Sequence, residues 1–395
     1  MGLQKTWNVL ALSRNRAAVD LLDVALQSAS VEIHTGAVRT LVRRTDAASH
    51  ELIIRHFPQL SGEAQEVLAE AHREMPRRPT AALSKALLQG EGPICLNACN
   101  LVLLLNFYDV FPVLVDAAED RQHRHAAQIN ATLLRLANLL HHELVEPPGT
   151  TTHRRADPFF VRRQVMPALD RSITRYSEHG RLEIVEAFLL LVPAANATLA
   201  AILRDPRHAC HEPVVASLLA SKSTGTMQCL VKLLEDTDAP TAALQVIAQR
   251  SDRRFLDLLL HDLKHPVSLR VLHNMDRLSR VPWLEEERAV LLDFEGAAQA
   301  VAVELAAGSG IARDSKYDFL ALMMQQGLAE ARRASCRVLA SFPGRRTIEL
   351  ITRALNDPDA DVQAAARKLY SGYAPGGASS LLPPLDFSPS PERSR

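Results

Sequence analysis

The stretch ITRALNDPDADVQAAARKLYSG at 351–372 carries two apolar stripes of helical period with a polar turn between them. Starting just upstream, Ile348, Ile351 and Leu355 are spaced three and four apart, and Leu350 and Ala354 widen that face. Asp357 and Pro358 then read as an N-cap carboxylate and a proline at the first helical position. Val362, Ala365, Ala366 and Leu369 form the second stripe, and Gly372 reads as a left-handed stop. Two helices of about three turns each cannot shelter both apolar faces alone, so a chain built of such pairs must stack them.

The same unit recurs upstream. The second helix of each pair is expected to open near Gly36, Gly62, Pro93, His125, Ser177, His211, Pro240, Pro266, Gly327 and Pro358. Most of these steps are about thirty residues. The step from 266 to 327 spans about two units and holds a degenerate repeat around GAAQAVAVELAA. The step from 125 to 177 contains an insertion. Paired helices at this period specify a stacked α-solenoid, an all-α fold.

LITRALNDPDADVQAAARKL resembles a HEAT repeat: an apolar first helix, an Asp-containing turn, and an alanine-rich second helix opening Asp-x-x-Val. LVKLLEDTDAPTAALQVIA and FLDLLLHDLKHPVSLRVL are similar, and the resemblance runs from about residue 10 to 372. It departs from the family at one point. An arginine follows Val38 and Leu269, as Arg39 and Arg270, but Gln363 follows Val362, so a continuous Asp–Arg ladder is not expected. The resemblance implies a right-handed α-solenoid of about eleven stacked hairpins over 1–372, interrupted by a loop at about 146–158. A disordered Pro/Ser-rich tail follows over 373–395, and LLPPLDF within it is apolar enough to dock into a groove. It further implies an interaction scaffold, without catalysis or cofactor, that binds a protein partner on its concave surface. The alternative on the same frame is an enzyme or nucleic-acid factor similar to metal-dependent hydroxylases, bilin lyases or HEAT-like DNA glycosylases.

Composition weighs on that choice. Hydrophobic residues make up 47% of the chain and aromatics 5%, which suits thin helix pairs cemented by Leu, Ala and Val. The 45 basic and 45 acidic residues cancel, which argues against a nucleic-acid grip driven by counterion release. Two tryptophans leave little for base stacking. Basic clusters at Arg39/Arg43/Arg44, Arg73/Arg77/Arg78 and Arg154/Arg155/Arg162/Arg163 read as solvated helix faces or loops. Phe159 and Phe160, after the 146–158 interruption, are expected to seat the next helix. The candidate partner-binding positions are Arg39, Arg43, Arg135, Phe159, Phe160, Arg162 and Arg163. Five scattered cysteines do not form a disulfide framework, and no segment approaches the ~20 apolar residues of a bilayer span. A reduced, cytoplasmic setting without membrane contact is the expectation.

Three His-Glu pairs, at 50–51, 142–143 and 211–212, invite comparison with the di-iron hydroxylases of this fold. Their number and unequal spacing do not match the four symmetric pairs of that family. In HACHE, His208, Cys210 and His211 lack a fourth ligand, and HDLKH puts Asp262 where a zincin needs glutamate. Cys95 and Cys99 share one face of an apolar helix and read as small core residues. No metal site is expected.

Overall fold

The structure is a computed structural model that describes residues 2–44, 46–73, 79–146, 157–193 and 196–373. Most of the interruption expected at 146–158, the tail from 374 onward, and Arg77, Arg78, Arg154 and Arg155 lie outside these residues. The chain is all-α and divides into two compact units, 1–230 and 231–395.

In the first unit α1 (Gly2–Leu12) precedes a series of helix pairs: α2 (Arg16–Leu26) and α3 (Val31–Arg43), α4 (Ala47–His56) and α5 (Gly62–Arg73), α6 (Thr80–Gln89) and α7 (Pro93–Leu104). Then come α8 (Phe111–Glu119) and the long α9 (Ala126–Val145), followed by α10 (Pro158–Thr174), the single turn α11 (Tyr176–His179) and α12 (Leu182–Leu191). The helices α13 (Ala197–Arg204) and α14 (His211–Ala220) complete the pairs of this unit, and its boundary falls inside α15 (Thr224–Leu234). First helices pack on first helices, α2 on α4, α4 on α6, α6 on α8 and α8 on α10. Second helices do the same, α3 on α5, α7 on α9, α9 on α12 and α12 on α14. This two-row stacking is what paired apolar stripes at a regular period demand.

Local chemistry sets where the helices start. Asn15, Asp46, Asp157 and Asn196 each accept a hydrogen bond from a first-turn backbone N–H and open α2, α4, α10 and α13, all first helices. Leu22, Leu68, Leu83, Leu133 and Leu169, one from each successive pair, are buried, each contributing about 1.5–3 kcal/mol. Gly180, left-handed at φ 63°, closes α11 by donating its N–H to the Tyr176 carbonyl at 2.8 Å.

The second unit holds α16 (Thr241–Gln249), α17 (Arg253–Asp262), α18 (Leu269–Asp276), α19 (Gly296–Gly308), α20 (Arg313–Gln326), α21 (Ala329–Leu339), α22 (Arg345–Ala354) and α23 (Ala360–Tyr373). Here α19, α21 and α23 form one row and α20 and α22 the other. The degenerate repeat expected around GAAQAVAVELAA has α19 as its one α-helix, and 277–295 contains two 3-10 segments, Pro282–Leu284 and Arg288–Asp293, in place of a second. Side chains hold this irregular backbone. Gln299 Nε2 donates to the Leu292 and Phe294 carbonyls at 2.9 and 3.0 Å, and Gln299 Oε1 accepts from the Leu328 N–H at 2.8 Å. Trp283, fully buried, donates its indole N–H to the Ile247 carbonyl at 3.2 Å.

Several sequence expectations shift. Helix α3 begins at Val31, five residues before Gly36; Gly36 is instead where the Trp7 ring of α1 rests. Helix α12 begins after Ser177, and α18 begins after Pro266. The N-cap of α23 is Asp359, whose carboxylate accepts from the Asp361 and Val362 N–H groups, two residues beyond Asp357. Gly372 lies within α23 and does not stop it. Leu269, which precedes Arg270, is 84% exposed, and Val271 is the buried residue of this turn.

Candidate functional site

The interrupted stretch 146–158 ends where α10 begins. Asp157 caps the helix by accepting from the Phe159 N–H at 3.1 Å, and Pro158 occupies the first turn and is buried. The inward stripe of α10 is Val161, Val165, Met166, Leu169 and Ile173. That stripe already seats the helix, so Phe159 and Phe160 do not: they are 57% and 44% exposed, contrary to the sequence expectation.

Each ring instead carries an arginine three residues on. The Arg162 guanidinium carbon lies 5.4 Å from the Phe159 ring centroid, and that of Arg163 lies 5.5 Å from the Phe160 centroid. Helical geometry places residues i and i+3 on adjacent turns, and the ring face attracts the cation. The result is an exposed pair of aromatic–guanidinium stacks. It sets apolar area beside positive charge.

The other sequence candidates lie elsewhere. Arg39 and Arg43 are exposed one turn apart on α3, and Arg135 is exposed on α9, so they sit on different members of the second-helix row. Arg44, grouped with them by sequence, is only 5% exposed and is a structural residue. Its Nε donates to Asp46 Oδ2 at 2.9 Å and to the Ser49 hydroxyl at 2.8 Å, and its Nη1 to the Leu10 and Ser13 carbonyls at 2.6 and 2.7 Å.

The histidine motifs do not converge. His50 is buried in α4 while the adjacent Glu51 accepts from Lys85 at 2.9 Å. His142 faces Glu146, and Glu143 accepts from the Tyr108 hydroxyl at 2.9 Å. In HACHE, His208 Nδ1 accepts from the Cys210 N–H and so closes a turn. His261 hydrogen-bonds to the Asp257 carbonyl, and His265 lies beyond the end of α17 against Glu304. No group of three or more His, Cys, Asp or Glu among the described residues is placed to hold a metal ion. Cys95 and Cys99 are buried, as is every other cysteine. No helix of the described residues is long and apolar enough to cross a membrane.

A second feature was not anticipated from the sequence. Where the α-helix is missing at 277–295, a cleft of about 600 Å³ opens in the second unit between α16 and residues 277–282. Its signal was present in two places: the double-length step after Pro266, and glutamines at 245 and 249 on an otherwise apolar helix.

No family model matches the chain, and no curated protein matches it. Among solved structures, 94% of the chain aligns with 95% of an engineered protein from a structural genomics consortium, at 15% identity and a TM-score of 0.30. Likewise 93% of the chain aligns with 45% of Kap121p, at 11% identity and a TM-score of 0.29.

Proposed function

We propose that the chain is a helical-repeat interaction scaffold that binds a protein partner and acts by binding rather than by catalysis. The observation that carries this reading is the pair of exposed phenylalanines, Phe159 and Phe160, each stacked under an arginine at the start of α10. Adjacent large apolar rings at the surface gain nothing for the fold, whereas aromatic and arginine side chains are the usual anchors of protein interfaces. Stacking on the rings also limits the rotamer freedom of Arg162 and Arg163, which lowers the cost of ordering them against a partner. Arg39, Arg43 and Arg135, exposed on α3 and α9, are the further positions at which an acidic partner surface is expected to engage.

The test compares tagged full-length wild type with Phe159→Ala/Phe160→Ala in capture from native lysate. The reading expects a stoichiometric partner with wild type that is lost with the double variant, while thermal stability changes little because the rings are exposed. Wild type recovered alone, or a partner retained by the variant, would refute it.

A further inference from the structure

We propose that the cleft between α16 and residues 277–282 is a docking site for an extended acidic peptide, distinct from the aromatic patch on α10. Its cavity of about 600 Å³ lies within the range of preformed ligand sites. Three exposed polar side chains, Thr241, Gln245 and Gln249, run along one wall, spaced one turn apart on α16. The residues between them, Ala243, Leu244, Val246 and Ile247, are buried and fix the helix in place.

Four residues of α-helix advance about 6 Å, close to the ~6.6 Å between same-facing groups of an extended chain. A glutamine amide both donates and accepts, so Gln245 and Gln249 can each satisfy an N–H and a C=O of a peptide laid along the helix. A pocket built for an apolar ligand would have no use for this row.

The opposite wall sets the sign of the charge. It presents Arg277, Ser279 and Arg280, and no carboxylate is among the cleft's described lining residues. Arg277 is fixed: its Nη1 donates to the Ala239 carbonyl at 2.8 Å and its Nη2 to the Thr241 hydroxyl at 3.2 Å. Those acceptors are neutral, and the ion pair that Arg277 makes with Asp238 is a long one, 3.8 Å, to a carboxylate 76% exposed, so its charge is only weakly compensated. Arg280 faces Glu286 at 2.9 Å in an exposed pair, weak enough for an incoming carboxylate to displace.

The wall is also held rigid. Asn274 donates to the Leu234 and Asp236 carbonyls at 2.8 and 2.7 Å, and Trp283 ties the far end of the segment to α16. Binding therefore requires little ordering of the protein. No aromatic side chain is among the described lining residues, which disfavours a single-stranded nucleic acid as the occupant.

The experiment is fluorescence anisotropy with the full-length chain and a fluorescein-labelled decapeptide of alternating glutamate and valine. The comparison peptide carries glutamine for every glutamate. The proposal expects the glutamate peptide to bind, with about tenfold loss for Arg280→Glu and weakening by salt. Gln245→Ala/Gln249→Ala should lose about fivefold, and the glutamine peptide should bind at least about fivefold more weakly. Phe159→Ala/Phe160→Ala should leave this binding unchanged, which separates the cleft from the α10 patch. The altered cleft residues are exposed, and circular dichroism verifies that the variants keep their helix content. Absence of binding overturns the proposal, as does binding that neither cleft variant weakens. Displacement of the peptide by a ten-nucleotide oligo-dT at lower concentration than by unlabelled peptide also overturns it.

Discussion

Arg332 of α21 and Asp357, in the turn between α22 and α23, form a two-pronged ion pair, Nε to Oδ2 at 2.8 Å and Nη2 to Oδ1 at 3.0 Å. Arg332 also donates to the Gly327 carbonyl at 2.7 Å, so one guanidinium joins the start of its own helix to the next repeat. Gln363, at the position where the HEAT pattern has arginine, donates to the Asp357 backbone carbonyl at 2.7 Å. The rung survives the departure from the pattern because the preceding repeat supplies the cation. Both side chains are largely buried, at 18% and 8% exposure, so removing one strands the other. Arg332→Ala should cost about 1–3 kcal/mol, and Arg332→Lys should recover only part of it because an ammonium cannot make the fork. Local hydrogen exchange across 355–366 is the measurement, since a repeat array need not unfold in one step. An Asp357→Ala variant as exchange-protected as wild type would show that the rung does not hold the turn.

Gly36 and Trp7 govern the docking of α1. A Cβ at residue 36 would stand 2.5 Å from two atoms of the Trp7 indole, and α1 has no buried residue of its own. Gly36→Ala therefore trades two effects. Helix propensity favours alanine in α3 by about 1 kcal/mol, while the ring must leave its seat. Overall stability should hold or rise slightly as α1 detaches. Acrylamide quenching reads this out, because the other tryptophan, Trp283, is fully buried and shielded from the quencher. Trp7 emission should shift red and quench more strongly, and unchanged quenching would mean that α1 is not held through this contact.

The paired helices were legible in the sequence because burial imposes a period, and period survives substitution. Gly62, Pro93, His211 and Pro240 mark helix starts within a residue of their observed places, each being a residue that the first turn tolerates or prefers. Gly36 and Gly372 misled because glycine in a helix has a second use, close packing or mere tolerance, that a one-dimensional pattern does not separate from a stop. Asp357 looked like a cap because Asp359 two residues later competes for the same role, and only tertiary contact assigns Asp357 to Arg332. Of the candidate site, the exposure of Arg39 and Arg43 was legible from charge, though the same reading missed the burial of Arg44 beside them. The exposure of Phe159 and Phe160 was not, since apolar residues are assumed to bury unless another stripe on the same helix already does so.

His50 should give the first unit a measurable acid sensitivity. Burial pushes its pKa below the ordinary value of 6.5, outweighing the nearby Asp46 carboxylate and a hydrogen bond to the Arg44 backbone, and Nε2 has no hydrogen-bond partner among the described residues. A histidine whose folded pKa is depressed resists protonation in the folded state. The folded form is then at full advantage above pH 6.5 and loses ground as pH falls below it. Asp46 acts in a separate window. Burial tends to raise its pKa, but hydrogen bonds from Ser49 and the charge of Arg44 prevail, so its contribution is lost only as pH falls below 3.8. Between pH 7 and 5, wild type should therefore lose more stability than His50→Gln, measured as the difference in urea midpoint at each pH. Parallel pH profiles would remove His50 as the cause.

Arg44 and Arg250 occupy the same place in different repeats, and their neighbour Arg43 provides the contrast. Each follows a second helix, α3 or α16, and turns its Nε to an aspartate two residues on, Asp46 or Asp252, at 2.9 Å in both cases. That aspartate caps the next first helix, α4 or α17. The tripeptides RTD and RSD thus encode a junction in which one carboxylate satisfies both a cap and a buried guanidinium. Arg44 turns its Nη1 to the Leu10 and Ser13 carbonyls, whereas Arg250 lies over the Phe255 ring at 4.8 Å. Arg44→Ala should cost about 1–3 kcal/mol, because the Leu10 and Ser13 carbonyls lose the guanidinium, while Asp46, 40% exposed, keeps its Ser49 donors. Arg43→Ala, one residue earlier and exposed, should change stability by less than about 0.5 kcal/mol. Arg44→Ala should also raise Trp7 quenching, since the carbonyls it releases belong to the end of α1 and the turn behind it, while Arg250→Ala should leave Trp7 untouched. Equal effects of Arg43→Ala and Arg44→Ala would mean that the two act only through surface charge, and the junction would lose its role in joining successive repeats.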